Sequence, residues 1–325
     1  MKALMLNELG GIEHLTVGDL PSPTLGDGQV RLGVKAAGIN FPDILMAEGK
    51  YQVKPDLPFV PGLECAGVVL ECGAGVTHLR PGDHALGFAR RGGAFAEEAI
   101  LPGDIVTPIP DDMSFETAAA FPVAYGTAHF ALDHRGNLQP GETLLVLGAA
   151  GGVGIAAIEV GKLMGARVIA AAGGADKLAA CKAHGADEVI DYRTEDLRIR
   201  VKELTDDKGA DVVFDPVGGD AFRAAARAIA WEGRILIIGF ASGDIAQAAT
   251  NMILVKNYSV IGAVFGEHSW RFPAETRARI AGLLPYVAEG KLNPRVWSTF
   301  PLEDARKALI AMQDRQVIGK MVLTL

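Results

Sequence analysis

The chain has 325 residues, of which 49% are hydrophobic, and its formal net charge is −8. This length predicts two domains with ample core, and the acidic balance argues against a nucleic-acid or anionic-membrane surface. Cys65, Cys72 and Cys181 form an odd, sparse set without metal-ligand spacing, which favours a reducing compartment over a disulfide framework. No signal peptide and no run of about 18 apolar residues is visible. We therefore expect a cytoplasmic location and no membrane partner.

Short strands separated by turns fill the first hundred residues. Residues 30–36 alternate apolar and polar side chains, as a half-buried strand does. Further strands are predicted at 65–70 and 84–88, and Pro-Gly pairs at 61–62 and 81–82 mark turns. This pattern predicts a small β-rich domain built as a partly open barrel.

Helical periodicity begins near Ser114, with helices predicted at 115–120 and 124–133. Strands then alternate with helices of about ten residues, which predicts a doubly wound parallel sheet. The strands are expected at 144–147, 168–172, 189–190, 211–214, 235–238 and 260–264, and the helices at 153–164, 175–184, 199–204 and 221–229. Helices at 273–289 and 301–314 precede a final strand at 321–325, which we expect to pack on the first domain.

A glycine cluster follows the strand at 144–147 and opens the next helix. Its sequence is Gly148-Ala-Ala-Gly-Gly-Val-Gly154. Glycines let the backbone approach a nucleotide pyrophosphate, and free N–H groups at the helix N-terminus face the negative charge. The cluster therefore predicts a dinucleotide site, with a cradle formed by Ala150, Gly151, Gly152 and Val153.

The end of the second strand of this sheet bears on the choice of cofactor. NAD sites usually carry Asp or Glu there, about twenty residues after the glycines, but this strand runs on to Gly173 and Gly174 without an acid. The missing acid leaves room for a 2′-phosphate, which Lys177 can neutralise. Asp176 could instead bind a 2′-hydroxyl or cap the helix. Tyr192 is a candidate for adenine or phosphate contact, or a rim core residue. We predict NADPH.

Six segments, in their order and spacing, resemble the medium-chain dehydrogenase/reductase superfamily over the full chain. Within it, the chain is most similar to the zinc-free NADPH:quinone oxidoreductase group. The segments are Ala37-Gly-Ile-Asn-Phe-Pro-Asp43, Pro58-Phe-Val-Pro-Gly-Leu-Glu-Cys-Ala-Gly67, Pro122-Val-Ala-Tyr-Gly-Thr-Ala128, Gly148-Ala-Ala-Gly-Gly-Val-Gly154, Ala186-Asp-Glu-Val-Ile-Asp-Tyr192 and Gly319-Lys-Met-Val-Leu323.

The resemblance implies an α/β protein of two domains. A GroES-like, partly open β-barrel catalytic domain would comprise residues 1–120 and 266–325, and a Rossmann NADPH-binding domain with a doubly wound parallel sheet would comprise 121–265. The resemblance also implies a homodimer through the last strand of the Rossmann domain. An exposed sheet edge invites such pairing.

Two positions separate this chain from the zinc-dependent branch of that superfamily. Asn40 stands where that branch has a ligand Cys, and Leu63 where it has a ligand His. Glu64 remains, but catalytic zinc requires three protein ligands. The four-cysteine loop of the structural zinc is also missing. We expect no metal and no alcohol dehydrogenase mechanism.

The resemblance also places residues at the cofactor and the substrate. Asn40 is a candidate to bind the nicotinamide ribose, the carboxamide or a substrate oxygen, or else a turn-stabilising residue. Tyr51 is a candidate donor to a developing oxyanion, or a rim aromatic. Glu64 is expected to pair with a basic or polar neighbour, and Lys320 to close over the cofactor or to be a surface charge. The other implied cofactor contacts are Thr127, Phe240, Ser242, Val264 and Phe265.

Together these features predict an NADPH-dependent reductase that transfers hydride, without zinc, to a small-molecule acceptor. The acceptor would be a quinone or an activated alkene, and the cofactor would supply the chemistry. One alternative is a 2-enoyl-CoA reductase of the acryloyl-CoA type, although the first domain has no obvious phosphate-binding cluster. Another is a non-catalytic NADPH-binding protein with a structural or redox-sensing role.

Overall fold

The computed structural model describes residues 1–52, 54, 56–89 and 91–325, and its chain divides into two compact units. The first unit contains Met1–Val123, Gly266–Ala288 and Pro294–Leu325. The second contains Ala124–Phe265 and Glu289–Asn293. The C-terminal segment therefore belongs to the same unit as the N-terminal segment.

The first unit is built mainly from strands. They are β1 (Lys2–Leu6), β2 (Leu15–Asp19), β3 (Gln29–Gly38), β4 (Glu64–Cys72), β5 (His84–Phe88), β6 (Glu98–Pro102), β7 (Thr107–Pro108), β14 (Val296–Pro301) and β15 (Lys320–Thr324). Strands β1 and β2 pair antiparallel. The others form a seven-stranded sheet in the order β14-β15-β3-β4-β5-β7, with β6 paired to β3. Strand β3 thus lies between β4 and β15.

Helices pack around this sheet. They are α1 (Phe41–Ala47), α2 (Phe115–Ala119), α10 (Pro273–Ala288) and α11 (Ala305–Gln313), and α9 (Phe265–Arg271) begins at the last residue of the second unit's main segment. The apolar faces of the strands and of α1 form one buried cluster that includes Leu32, Ile39, Ile44, Phe95 and Leu323. This core fixes the ends of β3, β4 and β15 relative to one another.

The second unit has a six-stranded parallel sheet. Its strands are β8 (Thr143–Val146), β9 (Arg167–Ala172), β10 (Glu188–Asp191), β11 (Ala210–Asp215), β12 (Ile229–Ile237) and β13 (Ser259–Gly262). Their order is β10-β9-β8-β11-β12-β13. This is the strand order of the Rossmann fold, in which ligands bind outside the carboxyl ends of the strands. The predicted fold class is confirmed.

Six helices among the described residues accompany this sheet. They are α3 (Pro122–His129), α4 (Gly152–Leu163), α5 (Ala175–Ala183), α6 (Leu197–Leu204), α7 (Gly219–Arg227) and α8 (Thr250–Lys256). The first two residues of α3, Pro122 and Val123, belong to the first unit. In the part of the chain that the structure describes, no helix combines the length and apolar character needed to cross a bilayer.

Some predicted boundaries were wrong. The helix predicted at 124–133 is α3 followed by a π-helical segment at Phe130–Arg135. The strand predicted at 260–264 is β13, which ends at Gly262, where the carbonyl accepts a hydrogen bond from Arg135 Nε at 3.0 Å. Val264 therefore lies beyond the strand, and Phe265 opens α9.

Candidate active site

Four polar side chains are buried together in the first unit. Counting backbone and side chain together, the residues are 7% (Asn40), 1% (Asp43), 0% (Glu64) and 5% (Lys320) exposed. Asn40 follows β3, while Glu64 and Lys320 begin β4 and β15. Both of those strands pair antiparallel with β3 near its end. The sheet register therefore brings together residues that lie far apart in the sequence.

The Lys320 ammonium is held entirely by the protein. Its Nζ atom lies 2.6 Å from Glu64 Oε1, 2.7 Å from Asn40 Oδ1 and 2.8 Å from the carbonyl oxygen of Ile39. An ammonium has three N–H donors, and these three acceptors use all of them. Lys320 is therefore not a surface charge, and a contact with a cofactor would require one of these bonds to be replaced.

The Asn40 carboxamide is fixed by the same network. Its Nδ2 atom donates to Glu64 Oε1 at 2.8 Å and to the Gly38 carbonyl at 3.2 Å, while Oδ1 accepts from Lys320. Both amide hydrogens are thus engaged. The carboxamide can still accept one hydrogen bond, through the second lone pair of Oδ1. Asn40 can therefore accept a hydrogen bond from a ligand but has no amide hydrogen left to donate.

Glu64 pairs with a basic neighbour, as expected, and its second oxygen is also occupied. Oε2 accepts the backbone N–H of Val123 at 2.8 Å, at the start of α3. Asn40, Val123 and Lys320 thus all donate hydrogen bonds to this carboxylate. A buried charge is tolerated only when it is paired and hydrogen-bonded in this way.

Asp43 completes the network, although it was not among the predicted site residues. Its Oδ2 accepts the backbone N–H of Asn40 at 2.7 Å, and its Oδ1 that of Gly62 at 3.2 Å. Burial raises the pKa of Asp43 to about 7, although these backbone bonds and the nearby Lys320 act in the opposite direction. The sequence does carry a signal for the contact between Asn40 and Asp43. An Asn before a helix with an acid three residues later is a capping-box pattern.

Tyr51, the other predicted catalytic residue, also lies in the first unit. It follows α1, and its backbone N–H donates to the carbonyl of Leu45 at 3.1 Å. The partly buried side chain packs against the core of this unit.

The predicted nucleotide cradle lies in the second unit, at the carboxyl end of β8. Helix α4 begins at Gly152 after the N-cap Gly151, and its first-turn N–H groups lack intrahelical acceptors. A Cβ at Gly154 would stand 2.5 Å from the Gly148 carbonyl oxygen and 2.6 Å from that of Ala149. Only glycine permits this close approach. The free amides and the bare backbone fit the pyrophosphate of a dinucleotide.

The ends of β9 and β10 lie beside this cradle, because both strands run parallel to β8. Gly174 is the N-cap of α5, with a φ of 102° that favours glycine. Lys177 and Asp176 lie in the first turn of α5. Tyr192 follows β10 and is exposed.

The other residues predicted to contact the cofactor differ in their burial and in their partners within the protein. Phe265 is buried, and its ring centroid lies 6.0 Å from that of Phe130, so its side chain packs in the core. The Ser242 hydroxyl is engaged in its own loop, where it accepts the N–H of Asp244 at 3.1 Å. Thr127 on α3 is buried, and two side chains are exposed, Phe240 and Val264.

A second buried polar network lies in the second unit, around Glu159 of α4. Its carboxylate accepts the Tyr125 hydroxyl at 2.6 Å and the backbone N–H of Asn293 at 2.9 Å, and it lies 2.6 Å from His184 Nδ1. Burial and the adjacent Glu159 raise the pKa of Tyr125 well above its usual value. The network joins α3, α4 and the segment at 289–293.

The residues of the first-unit cluster do not fit a zinc ion. Zinc takes Cys, His or carboxylate ligands, and a catalytic site needs three. Across the described ranges, no group of three or more His, Cys, Asp or Glu side chains is placed to hold a metal. At the cluster itself, Glu64 is already bonded to the Lys320 ammonium. A cation of the protein thus occupies the carboxylate that a metal would need.

Two protein-family models match this chain. The one described as "Alcohol dehydrogenase GroES-like domain" matches residues 26–111, and the one described as "Zinc-binding dehydrogenase" matches residues 152–279. The second name mentions a metal that the described donor set does not accommodate.

Known proteins are similar over the whole length. A "Quinone oxidoreductase-like protein 2 homolog" from Nematostella vectensis is 44% identical over 325 residues, which cover 99% of this chain and 88% of that protein. A quinone oxidoreductase from Escherichia coli, solved with NADPH, has a TM-score of 0.93 at 29% identity, covering all of both chains. A structure described as an NAD-dependent alcohol dehydrogenase has a TM-score of 0.91 at 35% identity, also with full coverage.

Proposed function

This chain belongs to the medium-chain dehydrogenase/reductase superfamily, in its quinone oxidoreductase-like group, and from that premise we propose that it is an NADPH-dependent reductase acting without zinc. It transfers hydride to a quinone or to the β-carbon of an activated alkene. The observation that carries the proposal is the bonding of Lys320 to Glu64 and Asn40. These bonds engage the positions at which a metal-dependent relative would keep ligands.

The nature of the acceptor follows from the missing metal ligands. Without a Lewis acid, polarising an isolated carbonyl is difficult, whereas a conjugated acceptor takes hydride at one end and spreads the charge onto oxygen. Hydrogen bonds then suffice to stabilise that oxygen. We propose Tyr51 as such a donor. Asn40 would accept a hydroxyl hydrogen through Oδ1, since Glu64 and Lys320 hold its carboxamide in one orientation.

The proposed cofactor is NADPH, which supplies the hydride when bound. The backbone of residues 150–153 would hold the pyrophosphate, and Lys177 would neutralise the 2′-phosphate. The absence of an acidic residue at the end of β9 supports this choice over NADH. The comparison with an NADPH-bound quinone oxidoreductase supports it as well.

The weaker candidate of another class is a non-catalytic NADPH-binding protein with a structural or redox-sensing role, and the cysteines lend it no support. Burial raises the pKa of both Cys65 and Cys181 to about 12, and that of Cys72 above its usual value. Reactive sensor cysteines have the opposite property, a lowered pKa with an accessible thiolate. Burial of two of the three thiols therefore argues against redox sensing through a cysteine.

We also propose that the protein is a cytoplasmic homodimer that pairs through β13. This strand is at the edge of its sheet, bonded to β12. The neighbouring helix α8 leaves Leu254 80% exposed and Val255 68% exposed. A second copy of the chain would cover both features. Light scattering should give twice the chain mass of 34.1 kDa, and a monomer at micromolar concentration would contradict the dimer.

The proposed activity is tested by stopped-flow oxidation of NADPH with a panel of acceptors. We expect turnover with small quinones or enones and none with a saturated ketone. A 2-enoyl-CoA thioester that outcompetes the quinone would assign the protein to the enoyl reductases instead. Tight NADPH binding without turnover of any acceptor would favour a non-catalytic role.

A further inference from the structure

The side chain of Arg193 lies across the backbone at Gly173 and Gly174. A Cβ at Gly174 would collide with the Arg193 guanidinium, and one at Gly173 would stand 3.1 Å from its Cδ atom. The guanidinium therefore occupies the space that a side chain at the end of β9 would fill. In NAD-binding Rossmann folds, an acidic side chain from this strand end takes that space. Here a cation from the neighbouring strand end replaces it.

Asp191 holds Arg193 in this position. Its Oδ1 accepts the backbone N–H of Arg193 at 3.1 Å and lies 3.4 Å from Nε, while its Oδ2 accepts the N–H of Gly174 at 3.1 Å. The backbone bond from Arg193, together with its guanidinium, keeps the pKa of Asp191 below its usual range. Both carboxylate oxygens are thus engaged by the protein, and Asp191 is a poor acceptor for a ribose hydroxyl.

The outer part of the guanidinium remains available. Within residues 1–52, 54, 56–89 and 91–325, the hydrogen bonds of the Arg193 side chain run through Nε alone. The Nη groups carry four of its five N–H donors, and the side chain is 60% exposed. A planar pair of donors of this kind matches two oxygens of a phosphate.

We propose that Arg193 is a specificity-determining residue that binds the 2′-phosphate of NADPH. The inference rests on the proposed function for the choice of cofactor, and it adds the group that distinguishes NADPH from NADH. Lys177 supplies a second positive charge. It lies in the first turn of α5, three residues after Gly174. Two carboxylates oppose these cations: Asp191, whose oxygens are both engaged by the protein, and Asp176 beside Lys177 in the same turn.

Fluorescence titration of the purified full-length chain with NADPH and with NADH tests this proposal. Arg193→Ala should raise the Kd for NADPH about tenfold or more and leave the Kd for NADH within about twofold. Arg193→Lys should fall between wild type and Arg193→Ala, because a lysine keeps the charge but loses the paired geometry. Arg198→Ala, which removes an exposed arginine on α6 of the same unit, is the matched control and should change neither constant.

Equal effects of Arg193→Ala on both nucleotides, or no effect on either, would overturn the proposal. So would a wild-type protein that binds NADH more tightly than NADPH, even if it reduces quinones with NADH. A wild-type protein that binds NADPH tightly through Arg193 but turns over no acceptor would retain the inference and overturn the proposed reductase. Binding of neither nucleotide would overturn both.

Discussion

The Nζ atom of Lys320 lies 2.6 Å from Oε1 of Glu64, and the two side chains are 7% and 0% exposed. Because both charges are out of water, each depends on the other for compensation. The pair also fixes the carboxamide of Asn40, since Lys320 donates to Oδ1 and Glu64 accepts from Nδ2. One buried ion pair thus provides local stability and sets the orientation of a proposed site residue.

Removing the cation of this pair should be costly. Lys320→Met leaves Glu64 buried without its charge partner, and we expect a loss of about 3–5 kcal/mol in the free energy of unfolding, measured by urea titration. Lys2→Met is the control, since the Lys2–Glu303 pair of the same unit is more than half exposed. It should cost no more than about 1 kcal/mol. Equal costs for the two variants would contradict the role assigned to Lys320.

Asp43 should make stability depend on pH. Its pKa in the folded protein is raised by burial to about 7, above the value of an unfolded carboxyl. The folded state therefore binds the proton more tightly, and the contribution of Asp43 to stability falls as pH rises from about 4 to 7, by on the order of 1 kcal/mol per pH unit. Above the folded pKa it is constant.

The Asp43→Asn variant isolates this contribution. Unfolding free energies of wild type and variant, measured from pH 5 to 8, should differ by an amount that changes with pH up to about 7 and is flat beyond. The variant also places an amide donor opposite Asn40 N or Gly62 N, which should cost about 1–3 kcal/mol throughout. A difference independent of pH would mean that Asp43 is ionised across this range.

Gly154 should not tolerate a side chain. Gly154→Ala would place a Cβ against the carbonyl oxygens of Gly148 and Ala149, and the resulting shift should cost about 1–3 kcal/mol in stability and weaken NADPH binding. Gly282→Ala in α10, where a Cβ meets nothing within 4 Å, is the matched control. That variant should be neutral or up to about 1 kcal/mol more stable. Unchanged NADPH titration of Gly154→Ala would contradict the cradle.

The Tyr125 hydroxyl should contribute to the stability of the second unit. Tyr125→Phe removes the donor that lies 2.6 Å from Glu159 Oε2 and should cost about 1–3 kcal/mol on urea titration. Tyr258 is a buried tyrosine whose hydroxyl has no hydrogen bond to the described residues. Tyr258→Phe should therefore stay within about 0.5 kcal/mol of wild type. A Tyr125→Phe variant as stable as Tyr258→Phe would show that this bond adds nothing.

The parallel sheet of the second unit could be predicted because its signals are local. Apolar strands, a glycine cluster and helices of regular length follow one another within short stretches. Helix α8 was not predicted, because its sequence carries no local helix pattern. Its four apolar residues are consecutive, so they lack the spacing of three and four that marks a helix face. Met252 and Ile253 pack against the core, whereas Leu254 and Val255 face solvent.

The site residues depend on contacts that no local pattern contains. Lys320 and Glu64 are 256 positions apart and meet only because β15 and β4 flank β3. Arg193 reaches Gly174 because β10 and β9 are neighbours in the sheet. A resemblance indicates which residues matter, but the hydrogen bonds in the structure show that Lys320 and Asn40 direct their donors to protein acceptors.

Hydride transfer without a metal can be tested by combining metal analysis with turnover. The purified protein is dialysed against EDTA, its zinc content is measured by mass spectrometry, and NADPH oxidation is followed with a quinone and an enone. We expect zinc far below one atom per chain and a rate equal to that before dialysis. Loss of activity with EDTA that returns on adding zinc would contradict hydride transfer without a metal.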